Sequence, residues 1–97
     1  MLVASMGTKL DFSVIARELE SKRIEVAPAS ELLALTGYPQ NGVSPLGIED
    51  LPVFMEEGLF AFNTILVGAG EAGIEIEIDP KALLAITRAR RLAFVRA

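Results

Sequence analysis

The side chains that usually carry enzyme chemistry are scarce in this sequence. It contains no cysteine and no histidine. That removes thiolate and imidazole catalysis and the common zinc ligand sets. Carboxylate, lysine, hydroxyl and backbone chemistry remain. The carboxylates include two adjacent pairs, Glu49-Asp50 and Glu56-Glu57. Sequence neighbours point apart on a helix or a strand, so neither pair reads as a two-carboxylate acid–base site. Glu75 and Glu77 share one strand face, which a solvated surface explains. Backbone chemistry has two candidate stretches, "GYPQNGVSPLGIEDLP" from Gly37 to Pro52 and "GAGEAG" from Gly68 to Gly73.

The second stretch matches G-x-G-x-x-G literally. A dinucleotide site needs a helix next, because the helix N-terminus holds the pyrophosphate. Here "IEIEI" follows, which is a strand pattern. The stretch therefore reads as a connection between two strands, with glycines that let backbones come close. The first stretch is too rich in glycine, proline and asparagine for a helix or a central strand. It reads as a long exposed loop that contributes little to the core.

Net charge over the 97 residues is −4, which argues against a general nucleic-acid binder. The distribution is uneven: Lys81, Arg88, Arg90, Arg91 and Arg96 close the chain with no acid among them. Two readings stay open, a helix end whose cations suit the dipole and a short basic patch for phosphate. The composition, 52% hydrophobic and 23% charged, supports one folded domain over residues 1–97. No apolar run reaches the roughly 20 residues that span a bilayer. The start lacks the pattern of a signal peptide. A cytoplasmic protein that does not engage membrane is expected.

Elements to position the loops follow from periodicity. "LVASM" reads as a strand. Asp11 caps a helix through about Ser21, with Phe12, Ile15, Ala16 and Leu19 on one face. "RIEVA" alternates as a strand. "SELLALTG" is a short helix, Ser30 its candidate cap and Gly37 its left-handed stop. "PVFM" and "FNTILV" are strands, with a helical turn from Glu56 to Phe60 between them. "IEIEIDP" alternates most cleanly, placing Ile74, Ile76 and Ile78 inward. Asp79 caps the last helix with Pro80 at its first position, and Leu83, Leu84 and Ile86 form its apolar face. "RLAFV" is a final strand.

With those elements in place, "LTGYPQNGVSPLG" resembles the "TGY…GGxSPxG" signature of the YbaK-like family, which includes the editing domain of bacterial prolyl-tRNA synthetases and its free-standing relatives. "GTKLD", "APASELLALTGY", "LPVFMEEGLF" and "VGAGEAGIEIEIDPKALLAIT" are similar to further family segments in the same order and spacing. The resemblance covers nearly the whole chain. It implies an α+β fold, a mixed, partly open barrel-like sheet flanked by short helices. It also implies hydrolysis of the ester of a mischarged tRNA, such as alanyl- or cysteinyl-tRNA for proline, with the tRNA acceptor end as partner. Such chemistry uses no cofactor and no metal. Substrate hydroxyls, water and loop amides position the reacting centre.

By the same resemblance, catalytic roles fall on Gly42, Ser44, Pro45 and Glu56. Substrate-binding roles fall on Tyr38, Asn41, Val43, Gly47, Gly70 and Gly73. Two departures stand out. Asn41 occupies a family glycine position, adding bulk where substrate passes, and Glu56 occupies a family aspartate position. The family's front segment, with its "KT" lysine, has no counterpart in these residues; Lys9, Lys22 and Lys81 sit elsewhere in the pattern. That absence leaves a second function open, a non-catalytic module of the same fold that binds tRNA, a small molecule or a protein. A purely structural module is the lesser third. An uncovered sheet edge and apolar faces would favour a homo-oligomer, in contact through "LVASM" or the helix from Phe12 to Leu19. A neighbour's Lys9 or Lys22 would then be the candidate to reach the pocket and partly replace the lost lysine.

Overall fold

The computed structural model describes residues 1–5, 10–21, 27–38, 42–48 and 51–93. In chain order these form β1 (Leu2–Val3), α1 (Phe12–Glu18), α2 (Ala29–Thr36) and β2 (Phe54–Glu56). A 3-10 helix (Glu57–Ala61), β3 (Ile65–Gly68), β4 (Glu75–Ile78), α3 (Pro80–Thr87) and β5 (Arg90–Leu92) follow. The strand expected over "RIEVA" lies outside the described residues, apart from Ala27, as do Met6, Phe94 and Val95.

The strands make two open sheets and no closed barrel among the described residues. One is parallel, in the order β1-β2-β5, and the other is the antiparallel β3–β4 hairpin. Register runs Leu2 to Phe54 to Arg90 and Val3 to Met55 to Arg91. Parallel neighbours need long crossovers, and the helices and the hairpin occupy those crossovers. Alternation then sorts the core into two layers. Met55, Leu59, Val67 and Leu83 are buried together, with Val3, Leu46, Ile65 and Ile78 packed against them. Ile15 and Leu92 form the second cluster, flanked by Leu2, Leu19 and Phe54.

Capping explains the helix starts. Asp11 accepts hydrogen bonds from the N–H of Ser13 and Val14, and Asp79 accepts one from Lys81 at 2.8 Å. Gly37 stops α2 at φ +75°, as expected. Other expectations need correction. α2 begins after Pro28, so Ser30 lies inside the helix and caps nothing. α1 ends at Glu18, with Leu19 as its C-cap, short of Ser21.

The apolar faces are the larger correction. Ile76 is 39% exposed, Ile74 is also exposed, and only Ile78 of that alternating set reaches the core. Ile86 on α3 is 62% exposed while Leu83 beside it is fully buried. Phe12 at the start of α1 is exposed as well. The periodic patterns are present, but among the described residues nothing is packed over parts of them.

Candidate functional site

The two glycine-bearing stretches meet. A Cβ at Gly42 would stand 2.5 Å from the Glu71 carbonyl carbon and 2.9 Å from the Ala72 nitrogen. A Cβ at Gly68 would overlap the Val43 carbonyl oxygen. Main chain therefore lies directly on main chain, a distance only glycine permits. Tyr38 locks the arrangement from the side. Its hydroxyl donates to the Leu46 carbonyl at 2.8 Å, and its ring edge lies against Gly70. The Tyr38 N–H in turn donates to Thr36 Oγ1 at 3.1 Å, at the end of α2.

The β3–β4 turn is built to receive this contact. The Ala69 N–H donates to the Ile74 carbonyl, and the Ile74 N–H to the Glu71 carbonyl. Gly70 and Gly73 carry positive φ in that turn. A strand follows, so the literal dinucleotide match has the geometry of a hairpin connection, as the alternating residues require.

Ser44 is 2% exposed. Its Oγ accepts the Leu46 N–H at 3.1 Å, a local turn closure. The hydroxyl is thus occupied in shaping the loop. The Ser44 N–H has no acceptor among the described residues. Gly42 and Pro45 are buried too. The expectation of an exposed loop outside the core is therefore wrong for residues 42–46: Leu46 packs on the main cluster.

The structure brings together Tyr38, Gly42, Val43, Ser44, Gly47 and Gly70. Gly73 stands apart, with open space where a Cβ would be. Asn41, Glu49, Asp50, Lys9 and Lys22 lie outside the described residues. Glu56 accepts a hydrogen bond from the Gly58 N–H and so caps the 3-10 helix. No hydrogen bond joins Glu56 to the loop among the described residues. Gly68 was not singled out as a site residue from sequence. Its only signal there was membership of the glycine stretch, and its tight contact is tertiary.

A cleft of about 560 Å³ opens beside the loop, between Pro45, Gly47, Ile48 and Leu51–Phe54 on one side and Ile86, Thr87, Arg88 and Arg90 at the end of α3 on the other. A smaller recess of about 320 Å³ lies between Val3 to Ser5 and β3. Among the described residues no cluster of potential metal ligands exists, and no helix is long and apolar enough to cross a membrane.

The described residues thus form a mixed fold of open sheets whose loop contact is built from backbone. The chain belongs to the aminoacyl-tRNA editing domain family, whose signature matches residues 1–86. It is 34% identical over 80 residues to EbsC of Enterococcus faecalis, described as a possible Cys-tRNA(Pro)/Cys-tRNA(Cys) deacylase; the match covers 81% of this chain and 49% of that protein. It is 26% identical over 80 residues to a proline–tRNA ligase of Shouchella clausii, covering 81% of this chain and 14% of the ligase. A solved structure described as a possible trans-editing enzyme for prolyl-tRNA synthetase superposes with a TM-score of 0.88 at 26% identity. That superposition covers 99% of this chain and 61% of the neighbour. The chain thus spans about half the length of the deacylase relative.

Proposed function

We propose that this chain hydrolyses the ester of a mischarged tRNA, with alanyl- or cysteinyl-tRNA for proline as the substrate class. The observation that carries this reading is the backbone-on-backbone contact of Gly42–Val43 with Gly68–Ala72. It fixes the loop rigidly enough to aim N–H groups at one point. Water adds to the ester carbonyl carbon, the developing oxyanion takes loop amides, and the terminal ribose hydroxyl leaves with a proton. An aligned donor of this kind contributes about 3 kcal/mol to the barrier in other enzymes. The Ser44 N–H is our candidate donor. Gly42, Val43 and Pro45 hold the loop shape. Tyr38, Gly47 and Gly70 line the approach, while roles for Asn41, Gly73 and Glu56 rest on the family resemblance alone. The similarity to EbsC supports the reading. The reaction as written needs no cofactor.

The test is release of amino acid from alanyl-tRNA and cysteinyl-tRNA for proline, against the uncatalysed rate. Acceleration by the chain is expected. Binding of the charged tRNA without acceleration would replace the reading with the non-catalytic module. If the Asn41 side chain narrows the approach, Asn41→Gly raises the rate; a fall would make Asn41 a substrate contact.

We also propose that the chain acts as one unit over residues 1–97, in the cytoplasm, and that two copies associate. The recess beside β1, with Phe62 and Leu66 at its wall, and the exposed Phe12 support association. Sedimentation over a concentration range checks it, and a monomer at all micromolar concentrations would refute it.

A further inference from the structure

We propose that the cleft at the end of α3 is a phosphodiester subsite for the single-stranded end of an RNA, held by Arg88 and Arg90. The ligand class rests on the editing reading; the site itself is separate from the loop contact. Three arginines cluster here, and they differ. Arg91 is engaged, its guanidinium donating to both carboxylate oxygens of Glu57 at 3.0 and 2.8 Å and lying 3.9 Å from the centre of the Phe60 ring. Arg88 and Arg90 line the cleft, and neither has a carboxylate partner among the described residues. Arg90 is held 5.9 Å over the Phe54 ring, a contact that orients a guanidinium while leaving its N–H donors available.

Arg88 occupies the C-cap of α3 at φ +55°. Glycine is the usual residue for that left-handed position, and a side chain there costs about 1 kcal/mol. The chain carries an arginine where the backbone alone would favour glycine. α3 also presents Ile86 to the cleft. Its exposure, otherwise a defect in an apolar face, supplies with the half-buried Phe54 a surface on which a base can lie. About 560 Å³ is room for a nucleotide.

The end of α3 opposes an anion with about half a negative charge. Two full guanidinium charges outweigh it. Pro45 and Gly47 form the wall shared with the loop, so an RNA strand lying in the cleft brings its end to the loop amides only a few residues away. The molecule as a whole is acidic, at −4, so binding should be weak and local rather than general.

The probe is a fluorescent hairpin RNA with a four-nucleotide single-stranded 3′ tail, titrated with the full chain and read by anisotropy at several salt concentrations. Arg88→Gly keeps the left-handed backbone and removes the charge; Arg90→Gln removes the second. The double variant should bind about tenfold more weakly at low salt, and the slope of log affinity against log salt should fall by about 1.4, the value for two single-strand phosphate contacts. Lys81→Gln, one charge at the far end of α3, should change affinity less than about twofold. Equal binding by the double variant, or an equal loss with Lys81→Gln, would overturn the proposal. Binding is read without turnover. A chain that binds through these arginines but cleaves no ester would therefore sink the deacylase reading and leave the subsite standing.

Discussion

The loop contact and the apolar strands of the β3–β4 hairpin beside it are opposites in packing. Where Gly42 and Val43 meet Gly68 and Glu71, main chains touch with no room for a side chain. One strand-length away, Leu66 is 64% exposed on the hairpin face it shares with Glu77, and Ile76 is exposed on the opposite face, as is Ile74 at the turn. By local pattern the loop should be the loose region and the alternating strand the firm one. The structure reverses that. A glycine-rich stretch becomes rigid when two backbones interlock, and an apolar strand face stays open until another surface covers it.

The comparison is most sharply broken at Gly68 and Gly42. Gly68→Val should destabilise the chain by about 3 kcal/mol or more in urea unfolding, since the Val43 carbonyl cannot move without disturbing the loop. Gly42→Val should do the same and remove turnover with it. Unfolding like the parent in either variant would mean the two loops are not in backbone contact. Leu83→Ala tests the core beneath, where the side chain is fully buried; a loss of about 3 kcal/mol is expected.

Smaller effects refine the same contrast. Asp79→Ala removes the cap on α3 and should cost about 1 kcal/mol in the same unfolding measurement. Tyr38→Phe deletes the hydroxyl bond to Leu46; about 1 kcal/mol is again expected, with a lower turnover if the loop loosens. Leu66→Ser on the open hairpin should change monomer stability by less than about 0.5 kcal/mol. It should instead weaken any self-association seen by sedimentation. A loss comparable to Leu83→Ala would show that the hairpin face is covered in solution.

Local physics was readable in the residues. Asp11 and Asp79 cap because a short carboxylate reaches the first free N–H groups of a helix. Gly37 ends α2 because the left-handed turn excludes most side chains. The strand after "GAGEAG" was evident from the period-two alternation, which by itself removes the dinucleotide reading. The family signature pointed to the loop and to Tyr38, Gly42, Ser44 and Gly70 around it.

Tertiary structure alone decided the rest, because it depends on residues far apart in the chain. Ser30 looked like a cap until the backbone placed Pro28 at the helix boundary. Ile76 and Ile86 carry correct periodicity, yet burial requires a partner surface that no periodicity supplies. Gly68 looked like any turn glycine; its necessity comes from Val43, which is 25 residues away by numbering. The separation of Arg91 from Arg88 and Arg90 has the same origin. All three are basic residues in one short stretch, and only the folded positions of Glu57 and Phe54 determine which charge is paired and which faces the cleft.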